Sequence, residues 1–314
     1  MVKKLIIDCD PGIDDAVALC MALFDPRLDV LAITSTAGNV DSAQASKNVQ
    51  TIVESLDPPR WPRLGTAPEG LFVGHANAKK IHGNDGLGNL NSQLSRLHHQ
   101  HPSEKVITDV VRNAPGQVTI LCLGPLTNLA LAFSRDPDLA SMIDRVVIMG
   151  GSISGVGNVT ATAEYNMFCD PESAQTVFRS LVTKTLVPLE VSQQLTFNLS
   201  MLDELPDAST RAGNFLRNVL PFLFRSYRQV YGLEGIHLHD VVALIAALHP
   251  EFFETQDMAG DVETNGSLTR GATVFDRRSR PEWRINLEVA MKLDKQAVRD
   301  AIRESIRYAG QLTR

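Results

Sequence analysis

Four carboxylates fall within eight residues near the start of the chain, in the segment Asp8-Cys9-Asp10-Pro11-Gly12-Ile13-Asp14-Asp15. Groups of one sign packed this closely repel and raise each other's pKa values. A cation removes that penalty, and a ligand set made only of oxygen suits calcium or magnesium better than zinc. Asp14 and Asp15 also stand where a helix is expected to begin, so capping and the helix dipole would account for one or two of the acids. That account leaves out Asp8 and Asp10, which close an apolar run, and the metal reading is therefore the stronger. A second acidic point is His237-Leu238-His239-Asp240, directly ahead of an apolar helix. It either caps that helix or supplies a distant ligand that closes the metal site. A third segment runs from Gly157 to Asn166. Its Asn158, Glu164 and Asn166 carry the amide and carboxylate groups that hydrogen-bond sugar hydroxyls. By itself it is a polar loop, and its place at a strand end is what points to function.

The elements that must position these residues alternate. Leu5-Ile6-Ile7 reads as a buried strand that ends in the acids and Pro11-Gly12. Residues 14–24 place Val17, Cys20, Met21 and Phe24 at helical spacing. A strand over 28–34 ends at Ala37-Gly38-Asn39, and a helix is expected over 42–55. Pro58, Pro59 and Pro62 make a rigid connection. The stretch 82–91, rich in glycine and asparagine, reads as a mobile loop. Strands follow over 118–123 and 145–149, the first leading through Gly124-Pro125-Leu126 into a helix with proline in its first turn. Residues 186–189 form a strand weakened by Pro188. Beyond residue 200 the chain becomes more helical, over 212–231 and 240–248. It finishes with a strand over 285–293 and a helix over 295–310. The alternation predicts an α/β fold with a mainly parallel, Rossmann-like central sheet flanked by helices. One domain is expected over 1–314, with the more helical C-terminal part covering the site. Ligands in such sheets bind beyond the carboxyl ends of the strands, where Asp8, Asp10, Asn39, Gly124 and Gly150-Gly151 gather.

The bulk numbers agree with a soluble enzyme. Of the 314 residues 44% are hydrophobic and 21% charged, which argues against disorder. The net charge is -6, and the short cluster Arg277, Arg278, Arg280 and Arg284 reads as a solvated loop. No nucleic-acid or membrane partner is expected. Cys9, Cys20, Cys122 and Cys169 form no CxxC pair and suit a reducing compartment. No apolar stretch reaches the ~20 residues that span a bilayer, and no signal peptide is evident. A cytoplasmic location is expected.

Taken in order, these residues resemble the inosine-uridine preferring nucleoside hydrolase family. Its D-x-D-x-x-x-D-D stands at Asp8, Asp10, Asp14 and Asp15, and its Gly-Asn at Gly38-Asn39. Its G-P-L-T-N occupies Gly124 to Asn128, and its Met-Gly-Gly is Met149-Gly150-Gly151. Its E-x-N is Glu164-Tyr165-Asn166, followed by Asp170-Pro171-Glu172, and its late His-Asp is His239-Asp240. The resemblance implies a calcium ion held by Asp10, Asp15, Asp240 and the Leu123 carbonyl. Ribose hydroxyls and a water would complete the ~6–8 oxygens calcium prefers. It implies Asp10 as general base toward that water, and Asp14, Asn166 and Asp240 as holders of the ribose diol. Asn158 and Glu164 would grip the 5′-hydroxyl, and Asn39 and Met149 would line the reacting face of the sugar. The substrate would be a ribonucleoside, and the assembly a homodimer or homotetramer.

Such chemistry breaks an N-glycosidic bond through an oxocarbenium-like sugar that carboxylates stabilise. One attacking water and no covalent intermediate predict inversion. The departing base needs a proton or hydrogen bond, for which His239 is the first choice and His82 the second. Tyr227 and Tyr231, four apart on a helix, share a face and either contact the base or pack as ordinary aromatics. A purine-specific branch of the family sandwiches the base between tryptophans. Here His82-Gly83 occupies the matching loop, so inosine, uridine or pyrimidine nucleosides are expected. Two rivals remain. A haloacid-dehalogenase-type phosphatase would use Asp8 as nucleophile but gives the later motifs no role. A non-catalytic nucleoside-binding protein would bind without releasing ribose.

Overall fold

Strand β1 (Lys3–Cys9) is buried from Leu5 to Cys9. Its side chains alternate between two apolar cores, as the period of a strand requires. Leu5, Ile7 and Cys9 enter one core, and Ile6 enters the other. A sheet covered on both faces explains why the strands read as continuous apolar runs. The computed structural model describes residues 2–69, 78–92 and 101–314.

The chain continues through α1 (Ile13–Ala22), β2 (Leu28–Ser35), α2 (Ser42–Leu56), β3 (Arg63–Thr66), α3 (Ala78–His82), β4 (His101–Pro102) and α4 (Ser103–Asn113). It then forms β5 (Val118–Cys122), α5 (Thr127–Arg135), β6 (Arg145–Met149), α6 (Tyr165–Cys169), α7 (Pro171–Arg179), β7 (Lys184–Val187) and α8 (Leu189–Ser192). The rest comprises β8 (Phe197–Asn198), α9 (Arg211–Tyr231), β9 (Gly235–Ile236), α10 (His239–Leu248), β10 (Phe253–Met258), β11 (Gly260–Val262), β12 (Thr273–Phe275), β13 (Leu287–Leu293) and α11 (Lys295–Leu312).

Among the described residues, nine strands join one sheet in the order β10-β13-β7-β6-β5-β1-β2-β3-β4. All neighbours are parallel except β10 and β13. The expected parallel α/β architecture is therefore present. From β1 the chain builds outward through β2, β3 and β4, then returns to lay β5 on the other side of β1. That reversal opens a crevice between the ends of β1 and β5, the place where such sheets bind ligands. One core, including Val17, Phe24, Leu216 and Leu244, lies under the helices that supply much of the site.

Several local expectations change. Pro125 lies ahead of α5 rather than in its first turn, because Leu126 is the residue before the helix. Pro188 ends β7 at Val187 and precedes α8, since proline cannot extend the ladder. The C-terminal third is less purely helical than its composition suggests. It contributes β13 and the antiparallel β10 to the sheet, and β10 exposes Glu254 through Asp257 at the edge. Such charges discourage pairing with another chain. The glycine-rich loop after α3 is wound around Asp85, whose carboxylate accepts from the amides of Leu87, Asn89 and Asn91.

Candidate active site

Asp10 follows directly on β1 and is 1% exposed. The amide of Asn39 donates to its Oδ2 at 2.7 Å, and the Asn39 side chain donates back to the Asp10 carbonyl at 3.1 Å. Two glycines make room for this carboxylate. A Cβ on Gly38 would fall inside it, and one on Gly124 would lie 2.6 Å from Oδ1. The glycines after β2 and β5 are thus parts of the seat of Asp10.

Asp14 and Asp15 occupy the first turn of α1, and Asp240 the first turn of α10. The two helices pack together, and the three side chains each bring an oxygen within 4.8 Å of the others. Asp15 Oδ2 accepts from the Gly12 amide at 2.8 Å. Its Oδ1 is buried with no hydrogen-bond partner among the described residues. Burial, reinforced by the neighbouring carboxylates, pushes Asp10 and Asp240 well above the usual carboxylate range and Asp15 to about 7. A buried cluster that resists ionisation, holding one orphaned oxygen, fits a hard divalent cation. Asp10 couples to this trio electrostatically but lies beside it, so Asp14 joins Asp15 and Asp240 as the closest set.

The sugar-binding candidates converge from the ends of β5 and β6. The Asn166 amide donates to the carbonyls of Leu123 at 2.7 Å and Met149 at 3.2 Å. The Leu123 carbonyl keeps a second lone pair. Glu164 caps α6, accepting from the amides of Gly151, Asn166 and Met167 at 3.0–3.1 Å. Asn158 Oδ1 accepts from the Tyr165 amide at 2.9 Å. Glu164 and Asn158 therefore hold their own loop in shape as well as facing the cavity.

Beside the carboxylates stand the aromatic and imidazole groups, with His82 Nδ1 3.9 Å from Asp14 Oδ1. His82 closes α3, and its Nδ1 accepts from the Ile13 amide at 3.0 Å. His239 opens α10, with Nδ1 2.8 Å from the Ser192 hydroxyl. Burial lowers both pKa values, His239 to about 4, while the charge of Asp14 opposes the shift. Tyr227 and Tyr231 meet edge to face at 5.2 Å, with Tyr227 buried and Tyr231 51% exposed.

One cavity of about 630 Å³ joins the two groups, a size suited to a small-molecule ligand. Every site residue read from the sequence lines it except Asp15, which lies beneath. Tyr165, Gln193, His237 and Lys80 also line it, and the sequence reading gave none of them a role. Tyr165 sits inside the E-x-N motif and donates its hydroxyl hydrogen to the Gly38 carbonyl at 2.7 Å, a tie that its position in the motif could have suggested. Neither Trp61 nor Trp283 is among the lining residues. No helix among the described residues is long and apolar enough to cross a membrane.

Comparison with known proteins agrees with this geometry. The sequence model of the inosine-uridine preferring nucleoside hydrolases matches residues 5–300. The chain is 36% identical to the non-specific ribonucleoside hydrolase RihC of Salmonella enteritidis, covering 97% of this chain and 98% of that protein. It is 34% identical to the pyrimidine-specific ribonucleoside hydrolase RihA of Salmonella paratyphi C, covering 98% and 99%. Among solved structures, the purine-preferring ribonucleoside hydrolase from Gardnerella vaginalis superposes with a TM-score of 0.89 at 29% identity, covering 99% of each chain.

Proposed function

Because the chain belongs to the inosine-uridine preferring nucleoside hydrolase family and is a ribonucleoside hydrolase, we propose that its hydrolysis depends on calcium and favours inosine, uridine and other pyrimidine ribonucleosides. The observation that carries this reading is one cavity lined by crowded, buried carboxylates and, beside them, by the imidazoles of His82, His237 and His239.

Asp15, Asp240, Asp10 and the Leu123 carbonyl would hold the cation, with the Asp14 carboxylate close beside Asp15 and Asp240. When bound, calcium supplies the positive charge that keeps these acids ionised and makes a nearby water more acidic. Asp14 and Asn166 orient the ribose diol, and Asn158 and Glu164 engage the 5′-hydroxyl. Glu164 retains acceptor capacity for this, since a carboxylate offers about four lone-pair positions. Asp10, fixed by the Asn39 amide, takes the proton from the attacking water. Positive charge then grows on the sugar beside carboxylates that are already in place, which stabilises it without reorganisation. His239 donates to the departing base, and the product sugar is inverted.

The preference rests on the base end. Imidazoles and tyrosines offer hydrogen bonds and edges, and no tryptophan is present among the described lining residues to sandwich a purine. The three relatives named above differ in base preference, so overall similarity does not decide it. Family resemblance further supports a homodimer or homotetramer acting in the cytoplasm, and light scattering would measure the assembly. The deciding experiment is ribose release from inosine, uridine, cytidine and adenosine without phosphate, with and without a calcium chelator. Release from inosine and the pyrimidines that the chelator abolishes is expected. Chelator-insensitive release would overturn the calcium reading, and fastest release from adenosine would overturn the preference.

A further inference from the structure

Two of the three histidines that line the cavity, His82 and His239, have chemically different partners at Nδ1. His82 Nδ1 lies 3.0 Å from the backbone nitrogen of Ile13, the first residue of α1. An amide N–H can only donate, so Nδ1 must present its lone pair and the ring hydrogen belongs on Nε2. A hydrogen on Nδ1 would meet the Ile13 N–H head-on. That amide is one of those a helix start leaves without an intrahelical acceptor, so the imidazole and the helix satisfy each other. His239 Nδ1 instead meets the Ser192 hydroxyl at 2.8 Å. A hydroxyl donates or accepts, which leaves both tautomers open to His239.

The approach of His82 depends on Gly12. A Cβ there would lie 2.7 Å from His82 Nδ1 and 2.8 Å from Asn39 Nδ2, closer than real Cβ atoms stand. Gly12 thus lets a base-end imidazole and a sugar-end amide rest against one backbone position. The His82 ring lines the cavity; the Ile13 amide is its one hydrogen-bond partner among the described residues, and the Asp14 carboxylate, 3.9 Å from Nδ1, stands beyond hydrogen-bond reach.

We propose that the Ile13 amide, reached across Gly12, holds His82 as the Nε2–H tautomer and so makes it a fixed hydrogen-bond donor to an acceptor atom of the bound nucleobase. Ile13 is the positioning residue in this arrangement, and His239 remains free to serve as proton donor. The inference rests on the ribonucleoside reading above for its ligand, but not for the tautomer.

A long-range proton–nitrogen NMR spectrum of calcium-loaded enzyme labelled with nitrogen-15 histidine tests it, with His82→Asn identifying the His82 signals. The expected pattern is a protonated Nε2 and a bare Nδ1. Ile13→Pro then deletes the amide hydrogen, while also replacing the buried Ile13 side chain with the smaller proline ring. Proline suits the first helical position, and Gly12 already has the extended backbone, φ -93 and ψ -167, that precedes proline. Ile13→Val keeps the amide and controls for the trimmed side chain. Ile13→Val should preserve the pattern. Ile13→Pro should spread His82 over both tautomers and lower kcat on uridine about tenfold, roughly one hydrogen bond's worth. p-Nitrophenyl riboside, whose leaving group needs no help, should lose far less. Hydrogen on Nδ1 or on both nitrogens in the unaltered enzyme would overturn the proposal, as would a spectrum and kcat that Ile13→Pro leaves unmoved. If no nucleoside is hydrolysed, the ribonucleoside reading fails while the spectrum still decides the tautomer.

Discussion

The carboxylate end of the cavity is tied to the main chain, whereas the histidine end is built mostly from side chains on helices. Asp10 is gripped by the Asn39 amide, Asp15 by the Gly12 amide, and Asn166 by two strand-end carbonyls. These bonds place the oxygens at the mouth of the crevice between β1 and β5. The base end relies on His82 from α3, Tyr227 and Tyr231 from α9, and His239 from α10. Here one aromatic is half-exposed, and one imidazole is partnered by a hydroxyl. The difference suggests where variation is tolerated. On the proposed reading, the chemistry common to all ribosides would sit on backbone that cannot shift without disturbing the sheet. Selectivity would sit on side chains that can change while the sheet stays as it is.

The largest effect should come from the rigid end. Asp10→Asn keeps the size and the Asn39 contact but removes the base, and turnover should fall at least in the 10²–10⁴-fold range typical of a lost general base. The loss should be the same for every nucleoside and for p-nitrophenyl riboside. Steady-state kinetics across these substrates would break the comparison if the loss depended on the leaving group. Gly38→Ala tests the same seat without touching a polar atom. Its Cβ would displace the Asp10 carboxylate, so a loss approaching that of Asp10→Asn is expected, again independent of the base. Near-normal turnover would show that the seat is looser than the contacts imply.

This contrast also explains what the sequence disclosed. The residues proposed for metal and sugar lie in short, ordered segments at strand ends, where a carboxylate cluster or a glycine next to asparagine has few other uses. Gly38 and Gly124 could be matched to a motif, but their purpose needed the three-dimensional seat of Asp10. The parallel sheet was legible because strands buried on both faces leave unbroken apolar runs. The edge strand β10 was not, because four of its six residues are exposed and polar. The membership of Asp14 in the tightest carboxylate set depends on how α1 meets α10, which no local pattern encodes. Gln193, just after α8, and His237, just after β9, reach the cavity only through tertiary packing; the segment holding His237 was singled out for His239 and Asp240, but nothing local gave His237 itself or Gln193 a role.

At the base end, His239→Ala should slow uridine and inosine about 10²-fold, the lower range for a lost general acid. p-Nitrophenyl riboside should slow much less. Equal losses on all substrates would remove His239 from leaving-group activation and move it to the rigid end. Calcium offers a comparison in stability rather than rate. At a hundredfold excess over Kd, a ligand bound only by the native state stabilises by about 2.7 kcal/mol. Thermal unfolding should therefore fall by several degrees on chelation. The fall should disappear in Asp15→Asn and persist in His239→Ala. A chelator effect retained in Asp15→Asn would place the cation elsewhere.

The smallest effect is expected at Tyr231. Its ring lines the cavity while half of it remains exposed, and it meets Tyr227 edge to face. An aromatic pair of this kind contributes about 0.5–1.5 kcal/mol beyond its buried area. Tyr231→Ala should therefore change kcat/KM for any one nucleoside by no more than about tenfold. The useful measurement is the ratio of kcat/KM for uridine to that for inosine. If Tyr231 contacts the base, that ratio shifts severalfold while p-nitrophenyl riboside is untouched. If the ratio holds and thermal stability falls instead, Tyr231 is a packing residue and selectivity belongs to the histidines. Because the change leaves every carboxylate in place, calcium stabilisation should be the same as in the unaltered enzyme. A loss there would mean that the two ends of the cavity are coupled through α9, contrary to the division drawn above.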